Sequence, residues 1–451
     1  MRALLCTCVL LVSCGPSGRG DDSGGGDPDA AYNGPTGTLR GRVWAPGLAP
    51  GMTAAGEEIP VSGAAVYLTT TRPAPIPSGV YCEPCQATPQ GAVLTDSKGA
   101  FVLPGAVPGR KWLVIQKAQF RLEQELDVTS ADVSLTDAQT TMPSEMDPQN
   151  GKWIPRVAIA AGSYDHLQNI FGKMGIGSVD ANGNYTATTG KLDLVDNGGD
   201  TLGMPVGNLA QLAADPARLA TYHIVFVPCS GDSNTAALKD QNVLKNLRDY
   251  VKKGGKLYVT DWSGEWMDNV FPEQIQLGES FGGFGDRIDT PATAYLGASD
   301  SWNTSQFGTA DGDAYDSSDA DAVDPGLAAW LGAQKGPSPT GSSGPIDAHH
   351  FSAVDNWNYV ASLHPVQVGL ANGQPVMDMP KTWVTGSNSG PLGGGSKHPL
   401  TVSFEPTGCG RVLYSTYHTT ESAHAGLYPQ ERILLYLIME IGVCSDNPVI
   451  L

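Results

Sequence analysis

Apolar residues recur along this chain in two distinct rhythms. From Thr38 to Thr140 they come in short runs that alternate with polar positions, as in "TLRGRVWAP", "VSGAAVYLTTT" and "LEQELDVTS". A period of two puts one face of each run inward and predicts β-strands. The turn "TDSKGAF" sets Asp96, Ser97, Lys98 and Gly99 between two such runs, where glycine takes positive φ at little cost, and so predicts a hairpin. The region reads as an all-β sandwich over residues 38–140. A polar stretch over 141–152 reads as a linker.

Beyond it, continuous apolar runs alternate with helical periods. "IPRVAIAAG", "YHIVFVPCSG", "KLYVTDWSG" and "GRVLYSTYH" are buried strands in this reading. In "SYDHLQNIFGKMGIG" Leu167, Ile170, Phe171 and Met174 share a helical face, with Ser163 as a candidate N-cap and Gly175 past the end. Val243, Leu244, Leu247 and Val251 do the same in the next helix, which Lys252, Lys253 and Gly254 close, and Pro429 opens a last one. Strands alternating with helices predict an α/β doubly wound parallel sheet over 153–445. A Gly-, Ser- and Asp-rich insertion, about 272–399, interrupts it; "MPKTWVTG" and "HPVQVGL" within it point to partial folding.

The first residues follow neither rhythm. "MRALLCTCVLLVSC" has one basic residue, Arg2, and an apolar run from Ala3 to Val12 too short to cross a bilayer, as in a signal peptide over 1–13. Residues 14–37 have no apolar period and read as a flexible tether, its Arg19-Gly20-Asp21 included. Leu11-Val12-Ser13-Cys14 resembles the bacterial lipobox. That resemblance implies lipidation of Cys14 and a place in the bacterial cell envelope, at the outer membrane because Gly15 rather than Asp follows.

Composition narrows the function classes. A chain of 451 residues exceeds one ordinary core, and 41% hydrophobic against 16% charged residues excludes a disordered chain. The net charge of -19, with no cluster of Lys and Arg, disfavours nucleic acid and anionic membrane surfaces as partners. The membrane is then a partner through the lipid anchor alone. If Cys14 is lipidated, five cysteines remain in an oxidising compartment. Cys82 and Cys85, in "YCEPCQ", are near enough to bridge; Cys409 and Cys444 flank a strand-helix unit as a second pair; Cys229 is left as the free thiol.

Gly41-Arg42-Val43, "VSGAAVYL", "TDSKGAFVL" and Pro108-Gly109 together resemble the carboxypeptidase regulatory-like domain, a transthyretin-like sandwich of the carbohydrate-binding-like fold. The resemblance implies a non-catalytic role in binding or spacing, and the loop from Arg72 to Gln90 departs from it. "VAIAAGSYDHLQNIF", "YHIVFVPCSG", "VKKGGKLYVTDWSG" and "GCGRVLYSTYHTTE" resemble the class I glutamine amidotransferase-like superfamily, including its ThuA-like branch. This implies a flavodoxin-like sheet, with oxyanion donors at Cys229, Ser230 and Gly231. It places the nucleophile at Trp262, the histidine at His418 and its acid at Glu421, a residue late. The catalytic machinery is therefore degenerate.

In doubly wound sheets the working surface lies at the carboxyl ends of the strands. There the sequence offers Asp165, His166, Ser230, Asp261, Trp262, Ser263 and Trp266 as ligand-binding residues, and Cys229, His418 and Glu421 as catalytic candidates. Ser263 is flanked by Asp261 and Glu265 where a nucleophile elbow needs small residues. His166, Asp261, His418 and Glu421 are also ligand types for zinc or another divalent metal, with His349 and His350 as further donors. Calcium is the other candidate cofactor, through "DGDAYDSSDADAVD" or "DANGNY", though both lack the EF-hand spacing and the first reads better as a solvated acidic loop. Trp262, Trp266, Trp302, Trp330, Trp357 and Trp383 could stack on sugars or pack a core. The expectation is an envelope lipoprotein that binds a glycan or an envelope protein without catalysis; the alternative is a hydrolase using a metal site or a Cys229/His418 pair.

Overall fold

The computed structural model describes residues 32–82, 89, 91–187, 192–231, 234–277, 294–295, 302–303, 315–339, 341–358, 360–371, 373–388, 397–406, 408–420 and 422–440. Cys14, the signal residues and most of the tether lie outside them. Residues Thr36–Leu451 form one unit by contact, separate from Met1–Pro35. None of the described helices is long and apolar enough to cross a membrane.

The period-two runs become seven strands, β1 (Gly37–Arg42), β2 (Ala65–Thr69), β3 (Val93–Leu94), β4 (Ala100–Ala106), β5 (Gly109–Lys117), β6 (Phe120–Val128) and β7 (Val133–Ser134), and β8 (Lys152–Trp153) joins them from beyond residue 140. They form a three-stranded sheet, β4-β1-β7, and a five-stranded one, β3-β2-β5-β6-β8. Leu39, Phe101 and Leu103 from the first share a core with Val66, Leu113, Ile115 and Phe120 from the second. The stretch 141–152 is not a free linker. Met142 is buried and donates its N–H to the Trp44 carbonyl, and Lys152–Trp153 pairs with β6. Its polar residues face water while its backbone completes a sheet, which hydropathy alone does not reveal.

The second region contains β9 (Val157–Gly162), β10 (Leu192–Asn197), β11 (Ile224–Val227), β12 (Lys256–Thr260), β13 (Tyr315–Ala322), β14 (Phe351–Asn356), β15 (Lys381–Asn388), β16 (Lys397–Phe404) and β17 (Arg411–Ser415) in one sheet. Their order is β10-β9-β11-β12-β17-β16-β15-β13-β14. The first five are parallel, in the doubly wound order. The last four are antiparallel. The insertion, expected to be partly folded, supplies β13, β14, β15 and the start of β16, and so extends the expected parallel sheet with antiparallel strands.

Alternate side chains of the parallel strands face opposite layers. Ile159, Phe226 and Tyr258 meet α1 (Leu167–Lys173) and α5 (Pro429–Glu440), while Ala158, Val225 and Leu257 meet α2 (Leu209–Ala214) and α3 (Gln241–Lys252). The first layer is continuous with the sandwich core. Trp330, on α4 (Pro325–Leu331), joins the two: it is 1% exposed and its indole N–H donates to the Pro60 carbonyl at 2.7 Å.

The loop after β2 crosses to the amino-terminal edge of the sheet. Val80 N–H donates to the Ala220 carbonyl, and the Pro77 carbonyl lies 2.8 Å from His223 Nε2. Cys82 is bonded to Cys409, with Cα atoms 5.5 Å apart. This corrects the expected Cys82–Cys85 and Cys409–Cys444 pairs, of which Cys85 and Cys444 lie outside the described residues; Cys229 is free and buried. The bond closes a span of 327 residues. Replacing Cys409 by serine should therefore cost about 2–4 kcal/mol, chiefly by freeing the unfolded chain. A urea midpoint unchanged in Cys409→Ser would contradict that.

Candidate functional site

The parallel strands β9, β11, β12 and β17 all end on one edge, so the segments that follow them converge. Gly162, closing β9, meets the Cys229 carbonyl so closely that a Cβ would lie 2.1 Å from that oxygen. Only glycine fits there. Beyond it Asp165 is fully buried and works as a tie. One carboxylate oxygen accepts from the Thr419 hydroxyl at 2.6 Å and the Thr419 N–H at 3.2 Å, the other from Thr260 Oγ1 at 2.6 Å. Thr260 Oγ1 in turn accepts the Cys229 N–H at 2.9 Å. Asp165 thus joins three strand ends and is not presented to a ligand.

Several other expected ligand residues are internal too. Ser263 donates to the Pro228 carbonyl at 2.7 Å, and Trp266 lies at 0% exposure among Met267, Val270 and Phe271. Ser230 is buried, donating to the Asn197 carbonyl at 2.5 Å. His166 is half-buried at the start of α1, its backbone N–H on Thr419 Oγ1. Glu421 lies outside the described residues.

What converges instead is Cys229, Asp261 and His418, whose donor atoms all lie within 4.8 Å of one another. They are 1%, 0% and 0% exposed. His166 is not part of this set, and Cys229, which was not among the expected metal ligands, is. Asp261 follows β12 at φ 46°, a left-handed conformation unusual for a residue with a side chain. The sharp turn therefore falls on Asp261, one residue before the Trp262 that the resemblance assigned to it. The Tyr414 hydroxyl holds the turn by donating to the Asp261 carbonyl at 3.1 Å.

The polar atoms of this set are under-used. Asp261 Oδ2 accepts the Trp357 N–H at 3.2 Å, and Oδ1 has no hydrogen-bond partner. His418 Nδ1 lies 2.5 Å from the Thr419 carbonyl, which can only accept, so Nδ1 carries the proton. Its Nε2 lies 3.6 Å from Asp261 Oδ2 and has no hydrogen-bond partner. Burial pushes the Asp261 carboxyl well above the usual carboxylate range, and Asp165 and Asp355 add to it. Burial likewise raises the Cys229 thiol, with the charge of Asp261 next, so without a cation Cys229 is a protonated, poor nucleophile.

Beside this sealed set lies an aromatic strip. Tyr164, 38% exposed, meets Trp262 edge-on at 5.6 Å between ring centres, and Trp262 meets Trp357 at 6.3 Å. Both indoles are half-buried, and the Trp262 N–H has no partner. Trp357 follows β14, so the insertion supplies one wall. Trp266, Trp330 and Trp383 are core residues, and the side chain of Trp302 lies outside the described set.

The acidic run does not form a calcium loop among its described residues. Its second half is strand β13, where Asp319 pairs with His350 at 3.3 Å and Asp321 with His349 at 2.8 Å and Lys397 at 3.0 Å. Asp324 caps α4. In "DANGNY" Asp180 Oδ1 accepts the N–H groups of Asn182 and Asn184, closing a hairpin turn.

Among solved structures the chain is similar to a cytoplasmic protein of Salmonella typhimurium at 12% identity, over 64% of this chain and 99% of that one. It is also similar to a ThuA-like protein of Parabacteroides merdae at 13% identity, over 65% and 92%. The TM-score is 0.33 in both cases. No family model matches the sequence, and no curated protein does.

Proposed function

We propose that the protein is a lipoprotein of the bacterial outer membrane, anchored through Cys14, that binds a glycan at the carboxyl edge of its α/β sheet without catalysing a reaction on it. One observation carries this reading. Cys229 and His418, the pair that covalent catalysis would use, are sealed at 1% and 0% exposure, while Tyr164, Trp262 and Trp357 offer ring surface beside them. Partly exposed aromatic rings suit a sugar, whose apolar face can stack on them. The amidotransferase-like nucleophile is absent in this reading; a hydrolase using a Cys229/His418 pair needs an accessible thiolate that the burial of Cys229 opposes, and one using a metal site needs a substrate to reach residues that are 0–1% exposed.

A glycan array probed with the mature chain should show selective binding. Trp262→Ala should weaken it by about 1–3 kcal/mol, roughly fivefold to 150-fold, with the fold intact. Retention of an envelope protein in place of any glycan would redirect the reading to protein recognition. Release of a product that stops in Cys229→Ser would replace it by the hydrolase.

A further inference from the structure

We infer that Cys229, Asp261 and His418 hold a divalent transition-metal ion, zinc in chemical class. This goes beyond the ligand-binding reading and survives its failure. The three donor atoms are a sulfur, a carboxylate oxygen and an imidazole nitrogen, all within 4.8 Å of one another. Donors bound to a common ion at about 2.0–2.3 Å lie closer together than that limit, so small side-chain movements complete the set. A mixed sulfur and nitrogen set selects zinc-like ions over calcium or magnesium, which take oxygen.

The unpartnered atoms make the case independent of proximity. Asp261 Oδ1 and His418 Nε2 are both fully buried with no hydrogen bond, and buried polar groups left so are costly. His418 already has the arrangement of a ligating histidine, its other ring nitrogen donating to a backbone carbonyl. Neither Asp165 nor Asp261 is paired with a lysine or arginine among the described residues. A thiolate and a carboxylate would neutralise a doubly charged ion inside the core. Binding would expel to solvent the protons held by Cys229 and Asp261, because a coordinating thiol and carboxyl are held deprotonated. Three protein donors leave a tetrahedral ion one position for water or a ligand atom.

The test uses the full mature chain. Metal analysis after purification should find about one zinc ion per chain. Replacement by cobalt(II) should give intense visible bands of a tetrahedral ion and a near-ultraviolet thiolate-to-cobalt band, the latter lost in Cys229→Ser. His418→Gln should weaken zinc retention by about tenfold or more. If a variant misfolds, the cobalt spectrum of the unaltered chain still decides. A chain that retains no zinc and gives only the weak spectrum of hydrated cobalt overturns the inference, whatever the glycan array shows.

Discussion

Trp330→Ala should destabilise the chain by about 3–5 kcal/mol, the cost of emptying a large aromatic site in a core. The effect is large because this side chain serves both modules. It is fully enclosed, meets Tyr436 of α5 at 4.9 Å between ring centres, and donates to Pro60 of the sandwich. Trp330→Phe should keep most of the packing but strand the Pro60 carbonyl, for a loss of about 1–3 kcal/mol. Urea unfolding followed by two probes would read both. Two separate transitions in the unaltered protein, with only one moved by Trp330→Ala, would show that the modules do not share a core.

The second large effect is one of pH. Asp268 is 1% exposed, and burial, with the charge of Glu273 adding, pushes its carboxyl up to about 8 from 3.8. In the unfolded chain it releases its proton near pH 4, while the folded chain keeps it until about 8. Over that window the folded state binds more protons, so this group's contribution is full at low pH and is lost as pH rises. Asp268→Asn removes the dependence. The variant's stability relative to the unaltered protein should climb by about 1.4 kcal/mol per pH unit, to roughly 6 kcal/mol, and level off above about pH 8. Parallel pH profiles for the two proteins would show that Asp268 is not buried as described.

Much of the parallel sheet was legible because its strands are apolar throughout, as "VAIAAG" and "IVFV" are. The extending strands were not. In β13 the inward residues are Ser318, Ala320 and Ala322, small enough that Asp319 and Asp321 between them dominate the pattern. A period-two strand thus has the sequence pattern of an acidic loop. The disulfide was hidden for another reason: cysteines 327 residues apart have no local signal, and proximity in sequence favoured Cys85.

The site was legible in part. Asp261 and His418 could be placed at strand ends, since parallel strands bring such ends to one edge. That Cys229 would face them while His166 would not depends on side-chain directions past the strands. The role of Trp357 depends on how β14 closes the sheet edge, and no sequence period reports that. A signal for Cys229 did exist: Pro228 ends the strand and puts the thiol on the same edge as Asp261.

The proposed binding role requires that Cys229, Asp261 and His418 stay sealed from solvent at this edge. Peptide-resolved alkylation of the folded chain at neutral pH tests it most directly. The Cys229 peptide should remain unmodified over times in which an exposed thiol reacts fully, and should react once the chain is unfolded. Rapid modification of Cys229 in the folded chain would reveal an accessible thiolate and contradict the account.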